Sequence, residues 1–224
     1  MASPKRQYDV ELFLRTLPIF RRLSASDRQH LASFATVQHV ERADVLFHEG
    51  RPCDSVWVVM EGRFHLLRHH PEGRTQAYCV MTPGEMFCCL PILDRGVYPA
   101  TAVAATPGKV VRIPLEMFRS FMDRQPALLQ ETLCVLSGRL REVEAKGCLM
   151  HDSVERRIAQ TLLALRNKFG DTIPLTRREI AELAVTTLET AIRTIVQFQQ
   201  AGWVRSSRSK IEILKPESLK ALLP

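Results

Sequence analysis

The sequence predicts an α+β protein in three parts: a small antiparallel β-roll, one long helix, and a pair of short helices followed by a two-stranded wing. Three observations carry this reading. Gly50, Gly62, Gly73, Gly84, Gly96 and Gly108 fall between short runs rich in Val, Phe and Tyr, the punctuation of an antiparallel sandwich or barrel. Leu129, Leu133, Leu136, Leu140, Val143, Gly147 and Met150 then step alternately by 4 and 3, the seam of a helix that wants another helix beside it. Finally, LTRREIAELAVTTLETAIRTIVQFQQAGWV reads as one helix interrupted at Val185-Thr186-Thr187.

The elements follow in order. SASDRQHLASFA is helical, with Ser24 or Ser26 as its N-cap. From Val37 to Ile113 the strand-like runs VQHVERADVLFHEG, DSVWVVMEGRFHLLRHH, TQAYCVMTPGEMFCC and TAVAATPGKVVRIP build the roll. LEMFRSFMDR is a short helix, and Pro126 suits the first turn of the next one, because proline has no N–H to lose there. In that next helix Leu129, Leu133, Leu136, Leu140, Val143 and Met150 form a dimerisation stripe; a helix packed only on its own domain usually carries a broader apolar face, and that is the alternative. SVERRIAQTLLALRNKF is a further helix ended by Gly170, and DTIP is a loop. Expected domains are therefore 1–125 for the roll, 126–151 for the dimer helix and 152–224 for the C-terminal unit.

In that unit Thr176 caps the first short helix, with Glu179 as its capping-box partner. Thr187 caps the second, Leu188 to Gln200, whose inner face is Ala191, Ile195 and Phe198. Its outer stripe, Glu189, Ile192, Arg193 and Val196 with Thr187 and Thr190 flanking, suits the major groove. Arginine donates two bonds to guanine, glutamate accepts from cytosine, and isoleucine meets a thymine methyl. Thr176, Arg177 and Arg178 stand where a helix start meets phosphate. VRSSRSKIEIL adds a wing with Arg205, Arg208 and Lys210. The bland alternative is a helical hairpin with a solvated outer face, which would leave Leu188, Ile192 and Val196 exposed without purpose.

Charge agrees with a polyanionic partner without demanding one. The net charge is +7, and residues 152–224 hold 12 basic against 8 acidic side chains. No apolar run approaches a membrane span and no signal core opens the chain, so a cytoplasmic protein with no membrane partner is expected. Six cysteines, Cys53, Cys79, Cys88, Cys89, Cys134 and Cys148, include no C-x-x-C pair, so no zinc ribbon or thioredoxin-like site is indicated.

The C-terminal stretch resembles the winged helix-turn-helix of the cyclic-AMP receptor/fumarate-nitrate regulator (CRP/FNR) superfamily. RRIAQTLLAL, the seam helix and a roll with MEGRFHLL and PGEMF follow the family's order, so the resemblance runs from about Leu17 to Ile213. It implies a cyclic-nucleotide-binding-like roll and a homodimeric transcription regulator, not an enzyme, that binds a palindromic double-stranded operator. RNA polymerase is a further expected partner. The family's base readers map onto Glu189 and Arg193, with Ile192 between them. One departure is Val185, where the family usually has glycine: a left-handed turn there is costly for a β-branched residue.

The resemblance also bears on the effector, which the sequence leaves unknown. Where the cyclic-nucleotide branch carries G-E and R-S, this chain has Cys88-Cys89 and Pro99-Ala100, and Arg95 lies across a turn. A bound phosphate would lack its arginine, so cyclic AMP is disfavoured. No cysteine precedes Cys53, which disfavours an iron-sulfur cluster of the family's design. GEMFCC is similar to the carbon-monoxide-sensing haem branch, with Cys88 at the ligand position but Leu90 in place of that branch's histidine. GVYPATAVA is closer to the branch that handles nitric oxide and oxygen limitation. Haem is thus the candidate cofactor, with Cys88, Cys89 and His65 as effector-site candidates and His69, His70 and His151 as other axial ligands. Cys88 as no more than a small buried hydrophobe stays open, as do a redox-labile Cys88-Cys89 disulfide, a thiol oxidoreductase, a cyclic-nucleotide-responsive regulator and a constitutive DNA-binding protein.

Overall fold

The computed structural model describes residues 4–69, 75–87, 89–148 and 152–223. It opens with helix α1 (Pro4–Thr16), a 3-10 turn at Pro18–Phe20 and α2 (Ala25–Phe34). The roll is β1 (Thr36–Val40), β2 (Val45–Phe47), β3 (Ser55–Glu61), β4 (Phe64–His69), β5 (Thr75–Met81), the short α3 (Cys89–Asp94), β6 (Thr101–Ala104) and β7 (Gly108–Pro114). Two helices follow, α4 (Leu115–Arg124) and α5 (Pro126–Cys148). The C-terminal part is α6 (Val154–Phe169), β8 (Thr172–Ile173), α7 (Arg177–Leu183), α8 (Leu188–Gln200), β9 (Val204–Ser206), β10 (Ile211–Ile213) and α9 (Pro216–Lys220). The chain divides into two compact units, residues 1–75 with 79–141 and residues 76–78 with 142–224, so that one division falls inside α5 between Arg141 and Glu142.

In the first unit the strands form sheets of order β1-β7-β3 and β2-β6-β4-β5. β4 alternates, with Phe64 and Leu66 buried, whereas β3 is buried at every position from Ser55 to Val59. Val56 and Val58 of β3, Phe64 and Leu66 of β4, Ala102 and Ala104 of β6, and Val111 and Ile113 of β7 are all buried. Phe47 stacks on Tyr98 at 4.1 Å between centroids and meets Phe87 edge-on at 5.8 Å; Phe64 meets Phe87 edge-on at 5.7 Å. Such pairs stabilise by about 0.5–1.5 kcal/mol each beyond their buried area. Two glycines let the β3–β4 and β6–β7 turns touch: a Cβ on Gly62, at φ +86°, would stand 2.7 Å from the Pro107 carbonyl oxygen. At one edge Tyr98 Oη donates to Asp54 at 2.8 Å and accepts from Trp57 Nε1 at 3.2 Å, while Arg112 pairs with Asp54 at 3.0 Å. Burial alone pushes the Asp54 carboxyl up, but the Tyr98 hydrogen bond and the Arg112 charge outweigh it and hold the group below its ordinary range.

Ser24 is the cap of α2, accepting from the Asp27 amide at 3.1 Å. Helix α1 has no counterpart in the sequence expectations; Val10 and Leu14 bury it against the same core, and Leu17 continues the row. Helix α5 begins at Pro126, as expected, and it has two faces. Leu128 and Thr132 are buried and Val135 packs on the roll core, while the Arg139 guanidinium donates to the Met86 carbonyl. Thr132 satisfies its hydroxyl on the Leu128 carbonyl at 2.8 Å. The other face is open: Leu129, Leu133, Leu140 and Val143 are 38%, 47%, 59% and 63% exposed. Leu136, between the stripes, is half-buried against the core. Met150 lies outside the described residues.

In the second unit Ile158, Leu162 and Leu165 of α6, Ile180 and Leu183 of α7, Ala191, Ile195 and Phe198 of α8, and Val204, Ile211 and Ile213 of the wing are buried. The wing corrects the reading of DTIP as a loop: Thr172–Ile173 is a strand, and the sheet runs β8-β10-β9 with β10 in the centre. Ile173 and Ile211 face each other in register and are both buried.

Candidate nucleic-acid interface

The helix-turn-helix is held by local chemistry. At the start of α7 Thr176 Oγ1 accepts from the Glu179 amide at 3.3 Å, and Glu179 Oε2 accepts from the Thr176 amide at 2.6 Å and its hydroxyl at 2.7 Å. This reciprocal box answers two amides that the helix leaves unpaired. It also occupies the Thr176 hydroxyl, so that residue serves α7 itself rather than standing ready for phosphate. Arg177 is likewise engaged, its Nε donating to Ser206 Oγ of β9 at 3.0 Å. Arg178 is exposed and carries no ion pair among the described residues.

Helix α7 ends in a Schellman-type turn. The Thr186 amide bonds to the Ala181 carbonyl at 3.0 Å and the Val185 amide to that of Glu182 at 3.2 Å, with Val185 in the left-handed region at φ +51°. The turn keeps its usual geometry with the wrong residue in it. Val185 is 55% exposed, so its side chain meets solvent and the cost is confined to its own backbone.

Helix α8 then starts from Thr187, whose Oγ1 accepts from the Thr190 amide at 3.2 Å and lies 2.9 Å from Thr190 Oγ1. Its inner row, Ala191, Ile195 and Phe198, is buried, joined by Thr194. Outward stand Glu189, Arg193, Gln197 and Gln200, all exposed. Glu189 and Arg193 share that face as the spacing predicts. Leu188, Ile192 and Val196, expected to be bare, are half-buried and flank it. Gln197 and Gln200 go beyond the sequence expectation; their 4- and 3-residue steps from Arg193 are the signal that marks them. In the wing Arg208 and Lys210 are exposed and unpaired among the described residues, whereas Arg205, also exposed, pairs with Glu212 at 3.0 Å. A capped helix start, a carboxylate, a guanidinium and two amides on one outward row, beside a basic hairpin, have the chemistry to meet base edges and phosphates.

Residues 37–125 match the cyclic nucleotide-binding domain and residues 156–222 the Crp-like helix-turn-helix domain. A "CRP-like cAMP-activated global transcriptional regulator" of Mycobacterium tuberculosis is 30% identical over 187 residues, covering 80% of this chain and 84% of that protein. The chain belongs to the CRP/FNR family of transcription regulators. Another CRP/FNR relative, the "Nitrogen fixation regulation protein FixK" of Bradyrhizobium diazoefficiens, is 24% identical over 231 residues, 99% of this chain and 96% of its own. Among solved structures, FixK2 from Bradyrhizobium japonicum superposes with a TM-score of 0.76 at 21% identity, over 84% of this chain and 96% of that one, a likeness of fold. The helix-turn-helix is therefore a DNA-binding one.

Cys88, His70 and His151 lie outside the described residues. Cys89 opens α3. His65 sits half-buried on β4 opposite Val103, on the face away from its buried neighbours Phe64 and Leu66. His69 ends the same strand. Among the described residues no three His, Cys, Asp or Glu side chains stand together as a metal site. Cys53, Cys79 and Cys134 form no disulfide among the described residues. No helix among the described residues is long and apolar enough to cross a membrane.

Proposed function

We propose that this CRP/FNR regulator works as a homodimer that reads a palindromic operator, with its roll answering a small effector other than a cyclic nucleotide. The observation that carries the dimer is the bare stripe on α5. Leu129, Leu133, Leu140 and Val143 are among the most exposed large aliphatics of the described residues, and they fall on one line of one helix. Scattered apolar residues need no explanation, but an aligned row does. A second α5 lying alongside covers it, and the helix's opposite face is already spent on the roll. Reading a palindrome requires such a dimer to present its two copies of α8 about 34 Å apart, one turn of duplex. Glu189, Arg193 and Gln197 then contact bases, Arg178, Arg208 and Lys210 contact phosphates, and RNA polymerase is the partner served.

The test is selection of duplexes from a random pool by the purified chain, with sedimentation of the complex. A two-fold symmetric sequence bound by two chains is expected. Asymmetric sequences, or a single chain per duplex, would refute the reading.

The cassette favours the effector reading. Pro99 is half-buried and Ala100 buried where the cyclic-nucleotide branch presents arginine and serine, so a buried phosphate there would keep its charge uncompensated. We infer a diatomic gas on haem, or a redox signal, acting at the Cys88-Cys89 segment. Haem when bound would supply gas ligation; the chain's part is Cys88 as a candidate thiolate. The check is an absorption spectrum of haem-loaded protein with and without carbon monoxide, repeated in Cys88→Ser, beside calorimetric titration with cyclic AMP. A Soret band unchanged by the substitution would remove the thiolate, and saturable cyclic-AMP binding would reverse the exclusion.

A further inference from the structure

We propose that Arg157 is the positioning residue of the reading helix: its guanidinium clamps the strained turn between α7 and α8 and ties it to the backbone where the chain enters α6. The inference rests on the DNA-reading role proposed above. Nε of Arg157 donates to the Ala184 carbonyl at 3.1 Å, Nη2 to the Val185 carbonyl at 3.2 Å, and Nη1 to the Asp152 carbonyl at 2.8 Å. Three carbonyls that no helix hydrogen bond uses are gathered by one planar fork. Arginine can do this and lysine cannot, because only the guanidinium holds its donors in fixed divergent directions. The charge also stands at the C-terminal end of α7, where the helix dipole favours a cation.

The location gives the clamp its purpose. Val185 occupies a left-handed backbone at φ +51° that glycine takes without penalty and a β-branched residue does not. Left alone, the turn would gain by relaxing toward an extended backbone. Thr187, the N-cap of α8, is only two residues on. A change in the Val185 torsions therefore swings α8 and everything on its outer row. Two bonds from Arg157 hold the carbonyls on either side of that torsion. The third bond fixes the same guanidinium to Asp152, just before the Ser153 cap of α6, whose side chain accepts from the Arg156 amide. Three of the five guanidinium N–H groups of Arg157 are committed to backbone, and the salt slope in the test below separates the clamp from a phosphate contact.

The test is a double-mutant cycle. Arg157→Met keeps the aliphatic stem and removes the fork. In it, affinity for the palindrome selected by the wild-type chain falls about tenfold or more, while affinity for a random duplex and its salt slope stay as in wild type, because that slope counts phosphate contacts. Adding Val185→Gly to Arg157→Met restores palindrome affinity to within about threefold, since glycine holds the turn unaided. Arg157→Lys is not rescued by its charge alone and behaves as the methionine variant. A purely structural arginine would not be rescued by a glycine at position 185. Amide exchange at Thr186, whose N–H bonds to Ala181, reads the turn without DNA: faster in Arg157→Met, restored in the double variant. Undiminished palindrome affinity in Arg157→Met, or a folded double variant with no recovery in affinity and exchange, overturns the clamp. A wild-type chain that fails to prefer any palindrome would refute the operator reading instead, and the exchange measurement would still decide the clamp.

Discussion

Leu140→Ala is the sharpest probe of the α5 stripe, because Leu140 is 59% exposed in one protomer and so contributes little to the fold of a single chain. Burying a whole leucine stabilises by about 1.5–3 kcal/mol, so closing over the exposed part contributes about 0.9–1.8 kcal/mol per copy. In a two-fold interface both copies lose it, which gives about 2–3.5 kcal/mol at most, since alanine keeps its Cβ. At about 1.4 kcal/mol per factor of ten, the dimer dissociation constant rises roughly 30- to 300-fold. Sedimentation velocity over a dilution series measures it, with far-UV circular dichroism to show the fold intact. Val45→Ala is the control: Val45 is 42% exposed, on β2 rather than α5, and its removal leaves association unchanged. If Leu140→Ala dissociates at the same concentration as the wild-type chain, the stripe is not the interface and the dimer argument fails.

Three further outcomes are expected. Arg193→Ala loses about 1–3 kcal/mol of preference for the selected palindrome while keeping salt-sensitive binding to random duplex; unchanged base preference would remove Arg193 from the reading row. Val185→Gly, in an otherwise unaltered chain, raises stability by about 0.5–1 kcal/mol, the relief of left-handed strain less the added flexibility of glycine, and thermal unfolding reads it; a lower midpoint would mean the turn carries no strain. The depressed Asp54 carboxyl is a stabilising group whose contribution is complete above its unfolded value, near about pH 4, and is lost as pH falls through its lower folded value. Asp54→Asn therefore flattens the loss of stability in acid, measured by denaturant unfolding against pH; an unchanged acid limb would show that the Tyr98 and Arg112 partners do not favour the ionised form.

What can be read from the residues alone follows from which forces leave a periodic trace. The leucine row on α5 is legible because its members are all apolar. The opposite face is not: Thr132 and Arg139 are polar by type, yet one is buried on its own helix's carbonyl and the other reaches the Met86 carbonyl, so hydrophobic spacing passes over both. Caps at Ser24, Thr176 and Thr187 are legible because capping uses few residue types at fixed offsets. Helix α1 has local signals too, Ser3-Pro4 as a cap type before a first-turn proline and Val10, Leu14 and Leu17 at steps of 4 and 3, but three apolar positions leave a shorter trace than the α5 seam. β8 is two residues long and exists through its pairing with β10, a long-range contact with no local signature. On α8 the row of Glu189 and Arg193 is readable, but the half-burial of Ile192 and Val196 depends on neighbours that spacing does not reveal. The compensation for Val185 is hidden for the same reason, since Arg157 lies 28 residues upstream.

The central place of β10 in the wing has a practical corollary. Trimming the chain back to Ser209 would strip the shared partner from two neighbours at once, leaving β8 and β9 without a ladder and opening Ile173 to water. Thr172–Ile173 is also the lead-in to the Thr176 cap, so the damage would spread to the start of α7. The hairpin is thus a keystone of the reading unit, and C-terminal deletions meant to pare away a basic fringe would bring down the helices beside it.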